Sequence, residues 1–269
     1  MKKNMFPVIM MLAAVGFSGC AKKAEKGEFT LEKGKLRIGT EVGYPPFEYY
    51  ADDGKTILGF DAVLGAAVAE RLGLEAVFID TAWDGIFAGL DTERYDVIMS
   101  SVTITPERSA NYDFSEPYIG NGQAIILRRD SVLPIKSPAD LENRKVGYQA
   151  ECTSDFFMDR QAAAGLVFTP SEYDKVMNAY DDLRLGRIDA VVSDSLVAVS
   201  YLAKPDSEFV QVWEGVPDEH FAICLKKGNS VLQSKINSVL ADMKKDGTLA
   251  SIYMEIFGMD LSDSIKDAR

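Results

Sequence analysis

Ser100-Ser101-Val102-Thr103-Ile104-Thr105-Pro106-Glu107-Arg108 brings two serines, two threonines and an arginine directly behind the apolar run Val97-Ile98-Met99. Thr105 stands where a helix N-cap stands, and Pro106 at the first helical position, which proline favours. Hydroxyls, free backbone N–H groups and a guanidinium therefore converge at one strand end. Helix N-termini attract anions and arginine grips carboxylates with paired bonds, so the stretch reads as a site for a small carboxylate. The alternative is a capped turn with a surface arginine.

Other chemistry has less to work with. His220 is the only histidine, lies between Glu219 and Phe221, and has no close cysteine partner, so neither a metal nor another cofactor is expected. Ser-His-Asp or Cys-His catalysis would rest on His220 alone. Cys152 and Cys224 make no disulfide framework. A reactive thiol needs a cationic neighbour, and the sequence around Cys152 offers none.

The elements that must position the stretch alternate between strand and helix patterns. Leu36–Thr40 reads as a first strand, running into Glu41-Val42-Gly43-Tyr44-Pro45-Pro46-Phe47, a loop stiffened by prolines that carries a carboxylate and aromatics. Asp52–Lys55 is a hairpin-type turn. Phe60, Val63, Leu64, Ala67, Val68 and Leu72 keep helical spacing up to Gly73. A strand at Glu75–Ile79, a short helix from Trp83 and the strand Asp96–Ser100 follow. Beyond Tyr118 the pattern restarts, with strands at Gln123–Leu127, Lys145–Tyr148, Ile188–Ser193, Phe209–Trp213 and Phe221–Leu225. Ser171-Glu172-Tyr173-Asp174 has capping-box spacing and predicts a helix over Tyr173–Leu185. Asp194 ends a buried-strand pattern and is placed to cap the helix after it. This is an α/β chain in which ligand-type residues gather at carboxyl ends of strands. Two such units joined by glycine-flanked extended segments predict two lobes, a cleft and a hinge.

Lys2 and Lys3, an apolar run from Met5 to Val15 and Gly16-Phe17-Ser18-Gly19-Cys20 describe a secretory signal too short to span as a mature helix. The cysteine in that setting resembles the lipobox of bacterial lipoproteins, which implies lipidation of Cys20 and an extracytoplasmic, membrane-anchored chain. Phe17 departs from the usual aliphatic residue there. Residues 1–19 are thus expected to be removed, and 20–35, rich in lysine and glutamate, to form a solvated tether. Losing Lys2 and Lys3 with no acid takes the net charge from −12 to −14, which argues against nucleic acid as a partner.

A family likeness runs through nearly all of the mature chain. Tyr44-Pro45-Pro46-Phe47-Glu48, Gly59-Phe60-Asp61, Trp83-Asp84-Gly85, Thr103–Arg108 and Asp113-Phe114-Ser115-Glu116-Pro117-Tyr118 occur in order. Gly186-Arg187-Ile188-Asp189-Ala190 and Asp246-Gly247-Thr248-Leu249 follow. The chain resembles the polar-amino-acid solute-binding proteins of ABC importers, bacterial extracellular solute-binding protein family 3. The resemblance implies a type II periplasmic-binding-protein fold. Lobe 1 would be 36–121 with 221–260, lobe 2 would be 122–220, and 261–269 a tail, with two crossing strands as hinge. It further implies a monomer that closes on an amino acid, does no chemistry on it, and docks on the membrane subunits of an ABC permease.

Carried over by position, Arg108 would clamp the ligand α-carboxylate with help from Thr103, while Ser100 and Ser101 line the site and Ser101 offers a carbonyl to the α-ammonium. Asp194 would supply the counter-charge from the second lobe, and Tyr44 and Trp83 would pack on the ligand side chain. Glu151-Cys152-Thr153 departs from the Gly-Thr-Thr common in the family; Thr153 still offers a hydroxyl or N–H, and Glu151 brings an acid near the cleft. One cation, Arg108, against two acids, Glu41 and Asp194, matches a basic amino acid such as arginine or lysine, since desolvated charges must be paired. A neutral polar amino acid or cystine is the other reading. On the same fold stand a cyclohexadienyl-dehydratase-like lyase, with Glu151 as its acid, and a sensory ligand-binding lipoprotein.

Overall fold

The computed structural model describes residues 27–203 and 205–265. The signal segment and Cys20 lie outside the described residues. In chain order the first half holds β1 (Lys35–Thr40), the hairpin β2 (Tyr49–Tyr50) and β3 (Ile57–Leu58), and α1 (Phe60–Arg71). Then come β4 (Glu75–Asp80), α2 (Trp83–Asp91), β5 (Val97–Ile98), α3 (Pro106–Asn111) and β6 (Tyr112–Phe114). The chain crosses over on β7 (Ile119–Asn121) into β8 (Gln123–Arg128), β9 (Lys145–Gln149), α4 (Thr153–Ala163), β10 (Thr169–Tyr173) and α5 (Val176–Arg184). β11 (Ala190–Asp194), α6 (Ser195–Leu202) and β12 (Phe209–Glu214) complete that half. It returns on β13 (Glu219–Phe221) to β14 (Cys224–Lys226), α7 (Ser230–Lys245) and α8 (Thr248–Phe257).

Two five-stranded sheets result, ordered β4-β1-β5-β14-β6 and β10-β9-β11-β8-β12. β1 runs parallel to β4 and β5, and β9 parallel to β10 and β11, so the carboxyl ends of these strands share an edge in each sheet. β7 and β13 pair antiparallel, Gly120 against His220, as the two crossing strands. The fold is the two-lobe type II architecture expected from the sequence.

Beneath the crossing strands, an aromatic cluster gives the first lobe its core. Phe47, delivered by the proline loop, packs edge-on to Phe60, Phe221 and Phe257, and Phe60 stacks on Tyr253. Such rings bury large areas and prefer tilted contacts, which fixes the loop that carries Tyr44 against the hinge. Two glycines let the chain pass this crowded point. A Cβ on Gly120 would collide with the Ser264 carbonyl oxygen, and one on Gly122 would meet the Val216 carbonyl oxygen at 2.9 Å.

Three local expectations are corrected. The Ser171–Asp174 spacing starts no helix: Thr169–Tyr173 pairs in parallel with Lys145–Gln149 at the sheet edge, and α5 begins only at Val176. Edge pairing competes with capping for the same polar residues and wins here. The solvated tether ends before residue 35, because Thr30 is buried and the Leu31 N–H donates to Asp96 Oδ1 at 2.6 Å. The strand expected over Phe221–Leu225 is two, β13 in the hinge and β14 in the first sheet.

Candidate functional site

Four strand ends build one cavity. β1 delivers Glu41, β5 delivers Ser100 and Ser101, β9 delivers Gln149 and β11 delivers Asp194. This agrees with the rule that ligands collect beyond the carboxyl ends of parallel strands. The cavity has about 300 Å³ of unfilled space, its open mouth included. Its wall contains Glu41, Tyr44, Trp83, Ser100, Ser101 and Thr103, then Arg108, Thr153 and Asp194. All nine site residues expected from sequence are thus brought together, with Gln149 and Cys152 added.

The Ser100–Arg108 stretch of the first-lobe wall is held mainly from within its own lobe. Thr105 Oγ1 accepts from the Arg108 N–H at 3.2 Å and caps α3, while Pro106 opens it. Ser100 Oγ accepts from the Glu41 N–H at 3.0 Å and donates to Glu48 Oε1 at 2.8 Å. Ser101 adopts φ 50°, a conformation costly for a residue with a Cβ, and its N–H donates to Asp61 Oδ2 at 2.7 Å. Glu48 and Asp61 are both fully buried, and neither Glu48 Oε2 nor Asp61 Oδ1 has a donor from another group. Burial therefore raises both carboxyls, Asp61 to about 6 and Glu48 well above its ordinary range, with Asp61 adding to the reluctance of Glu48 to ionise.

Arg108 is buried, which lowers its affinity for its proton without discharging it. Its Nη1 donates to the Thr103 carbonyl at 3.1 Å and its Nη2 reaches the Glu151 carbonyl at 3.5 Å. Trp83, Phe87 and Phe156 surround the guanidinium at 5.2, 5.4 and 5.9 Å from their ring centres. These contacts fix its plane and leave donors for a carboxylate. Trp83 therefore supports Arg108 as well as lining the cavity.

Across the cleft the two walls bond to each other. The Tyr44 hydroxyl donates to Asp194 Oδ2 at 2.5 Å, and Gln149 Nε2 to Glu41 Oε2 at 2.8 Å. Trp83 Nε1 donates to the Glu151 carbonyl at 3.1 Å, and Lys175 Nζ to the Val42 carbonyl at 2.7 Å. The lobes are closed on each other. Asp194 occupies the N-cap position of α6 but makes no capping bond. Its Oδ1 instead accepts from Asn121 Nδ2 at 2.8 Å and Gln123 Nε2 at 2.9 Å, so the carboxylate belongs to the cavity. Thr153 opens α4, and its hydroxyl donates to Glu219 Oε2 at 3.0 Å. That leaves its N–H, and not its hydroxyl proton, for an anion.

The odd loop is settled by backbone geometry. Glu151 takes φ 59°, the region that a glycine occupies without cost, and its N–H is tied to Asp155 Oδ2 at 2.8 Å. Its carbonyl faces Arg108 and Trp83 while its exposed side chain lies outside the cavity wall. Cys152 donates its thiol to the Gln149 carbonyl at 2.9 Å, and burial pushes that thiol up to about 12, so it stays protonated.

Charge is unbalanced in this space. Among the described residues, Arg108 is the only cation in the wall, against Glu41 and Asp194. Burial raises Glu41 to about 7, although Gln149 and Lys175 oppose the shift, and burial also raises Asp194. Glu41 Oε1 is buried without a hydrogen-bond partner. No group of metal-ligating residues occurs among the described residues.

Sequence reasoning passed over Gln149, Asn121, Gln123 and Glu219. Gln149 was within reach, as the last residue of a strand whose carboxyl end faces the cleft. Asn121 and Gln123 flank Gly122 in the crossing segment, where polar alternation marks a hinge that pairs out of sight of local patterns. Glu219 carried no signal beyond its place beside His220.

Two α/β lobes, crossing strands and a closed polar cavity at their junction define the class of two-lobed solute-binding proteins. The chain belongs to the bacterial extracellular solute-binding proteins, family 3, whose model matches residues 36–259. L-cystine-binding protein TcyJ of Escherichia coli (strain K12) is 35% identical over 256 residues, 94% of this chain and 95% of its own. A solved ancestral arginine-binding protein bound to arginine superposes with a TM-score of 0.79 at 39% identity, covering 84% of this chain and 99% of that one. An ancestral amino acid-binding protein described as a precursor of cyclohexadienyl dehydratase gives a TM-score of 0.73 at 37% identity, over 83% of this chain and 95% of its own. Among the described residues, no helix is long and apolar enough to cross a membrane.

Proposed function

We propose that the chain captures a basic amino acid, arginine or lysine, outside the cytoplasm and delivers it to an ABC importer. Arg108 holds the α-carboxylate with the Thr103 and Thr153 N–H groups, and Asp194 with the Ser101 carbonyl holds the α-ammonium. Glu41 and Gln149 receive the side-chain cation beside Tyr44. The observation that carries this reading is Glu41 Oε1, buried and unpartnered in a cavity wall with a single cation. Leaving a buried acceptor unmet costs about 1–3 kcal/mol, and a ligand guanidinium or ammonium removes that cost.

The cystine-binding relative favours a second reading, with cystine as ligand. Its second ammonium could meet Glu41, but its second carboxylate finds no second cation in the wall. Charge balance thus ranks arginine or lysine first. Calorimetry with arginine, lysine, glutamine and cystine decides: the reading expects arginine or lysine to bind tightest, and tight cystine or glutamine binding with no response to either base overturns it.

Closure brings Asp194 and Gln149 to a ligand already seated on Arg108, so the ligand selects the closed state. The lobes of this proposal are 36–121 with 221–260, and 122–220; residues 1–19 act as signal and Cys20 as anchor, which fatty-acid labelling of the wild type against Cys20→Ala checks. No reaction is assigned to the site: the Glu151 side chain, the candidate acid of a dehydratase, lies outside the wall. Assays with prephenate and arogenate should give no turnover.

A further inference from the structure

Glu219 sits on the hinge strand β13, outside the cavity wall yet bonded to three groups that shape it. Gln123 Nε2 donates to Glu219 Oε1 at 2.9 Å and also to Asp194 Oδ1 at 2.9 Å. Asn121 Nδ2 reaches Glu219 Oε2 at 3.4 Å and Asp194 Oδ1 at 2.8 Å. Two desolvated carboxylates therefore share one pair of amide donors. Thr153 gives its hydroxyl proton to the same Glu219 Oε2. Ser154 Oγ in turn donates to Gln123 Oε1 at 2.6 Å, which fixes which way the Gln123 amide points.

The charges facing Glu219 leave it without a counter-ion of its own. Asp194 on β11 repels it, and no salt bridge is formed with it among the described residues. Arg108 on α3 feels its charge, but the Arg108 donors go to the Thr103 and Glu151 carbonyls. The groove on Glu219's outer side adds Glu107, Glu151, Asp159 and Asp218 against Arg160 alone, and His220 follows it in the chain. Like-charged carboxylates on shared donors cannot both ionise cheaply in such a place.

We propose that Glu219 is a positioning residue of the ligand site, which orients Gln123, Asn121 and Thr153 toward Asp194 and stores a proton that leaves when the ligand's α-ammonium arrives. The inference rests on the amino-acid reading above and deepens it. Burial and Asp194 raise the Glu219 carboxyl to about 7, the range in which such a proton is exchanged. An added ammonium stabilises the ionised pair, so binding expels the proton and affinity grows as pH rises from 6 to 8. Linkage of one proton changes the dissociation constant by up to about tenfold per pH unit below the free-state value.

Calorimetry of arginine binding in phosphate and in Tris at pH 7 counts the protons released. Wild type should release more than Glu219→Gln, whose dissociation constant should also vary less with pH, by up to about tenfold per unit. Glu41→Gln removes a separate share and serves as the comparison. Equal release and equal pH slopes in wild type and Glu219→Gln overturn the inference, while the basic-ligand reading survives. If Glu219→Gln does not fold, or no amino acid binds, the ligand-free protein still answers. With glutamate carboxyl carbons labelled, two resonances should titrate near pH 7, one lost in Glu41→Gln and the other in Glu219→Asp. A Glu219 resonance that titrates in the ordinary range near pH 4 also overturns it.

Discussion

The two walls of the cavity are built on opposite plans. The first-lobe wall is finished before any partner arrives: Thr105 caps α3, Arg108 grips its own Thr103 carbonyl, and Ser100 and Ser101 rest on Glu48 and Asp61. The second-lobe wall combines bonds of its own, Gln123 on Asp194 and Thr153 on Glu219, with bonds from the other lobe, Tyr44 on Asp194 and Gln149 on Glu41. One wall is a template and the other a clasp. On the proposed function, binding would divide into early recognition of what every amino acid carries and later recognition of the side chain together with closure.

The sharpest way to break this comparison is Arg108→Ala. Removing the template's cation should cost about 3 kcal/mol or more, a hundredfold in affinity by calorimetry, with the circular-dichroism melt little changed. Asp194→Asn strikes the clasp: arginine affinity should fall about thirtyfold, yet the ligand-free melting temperature should rise, because a desolvated charge without a cation is removed. A fall in that melting temperature would contradict the clasp assignment. Glu41→Gln should weaken arginine about tenfold and leave glutamine unaffected, which separates side-chain reading from the common clamp.

Acidity tests both walls at once. Asp61 at about 6 and Glu41 and Glu219 at about 7 hold their protons more tightly folded than unfolded. The folded state then binds more protons, so stability is greatest below about pH 4 for these groups and is lost as pH rises through 6 to 7. The ligand-free melting temperature should drop by about 5 °C between pH 5 and pH 8, measured by calorimetry, and saturating arginine should reduce the drop. Trp83→Phe carries the smallest effect. It keeps a ring beside Arg108 and loses the bond to the Glu151 carbonyl, which should cost a few-fold in affinity, about 1 kcal/mol, and speed ligand release.

The same division explains what the sequence disclosed. Ser100–Arg108 is legible because its proline, its cap and its arginine act within nine residues, and the alternation of strands and helices around it announces two sheets. Tyr44 and Asp194 are individually recognisable, but their mutual bond spans the cleft, and no local pattern contains it. Asn121, Gln123 and Glu219 meet only because β7 and β13 cross, which is a property of topology and not of spacing. Ser171–Asp174 misleads for a related reason: the residues that cap a helix also suit an exposed strand edge, and the neighbouring strand decides.

Beyond the cleft, the 3₁₀ turn Ser262–Ile265 lies on the outer side of β7, where the Gly120 N–H donates to Ser264 Oγ at 2.9 Å. The Tyr253 hydroxyl donates to the Tyr118 carbonyl just before the same strand. The crossing strand is thereby tied at two points, to this turn and to α8. In mechanical terms, this turn is a brace: a segment that lines no part of the cavity still holds one of the two strands that join the lobes.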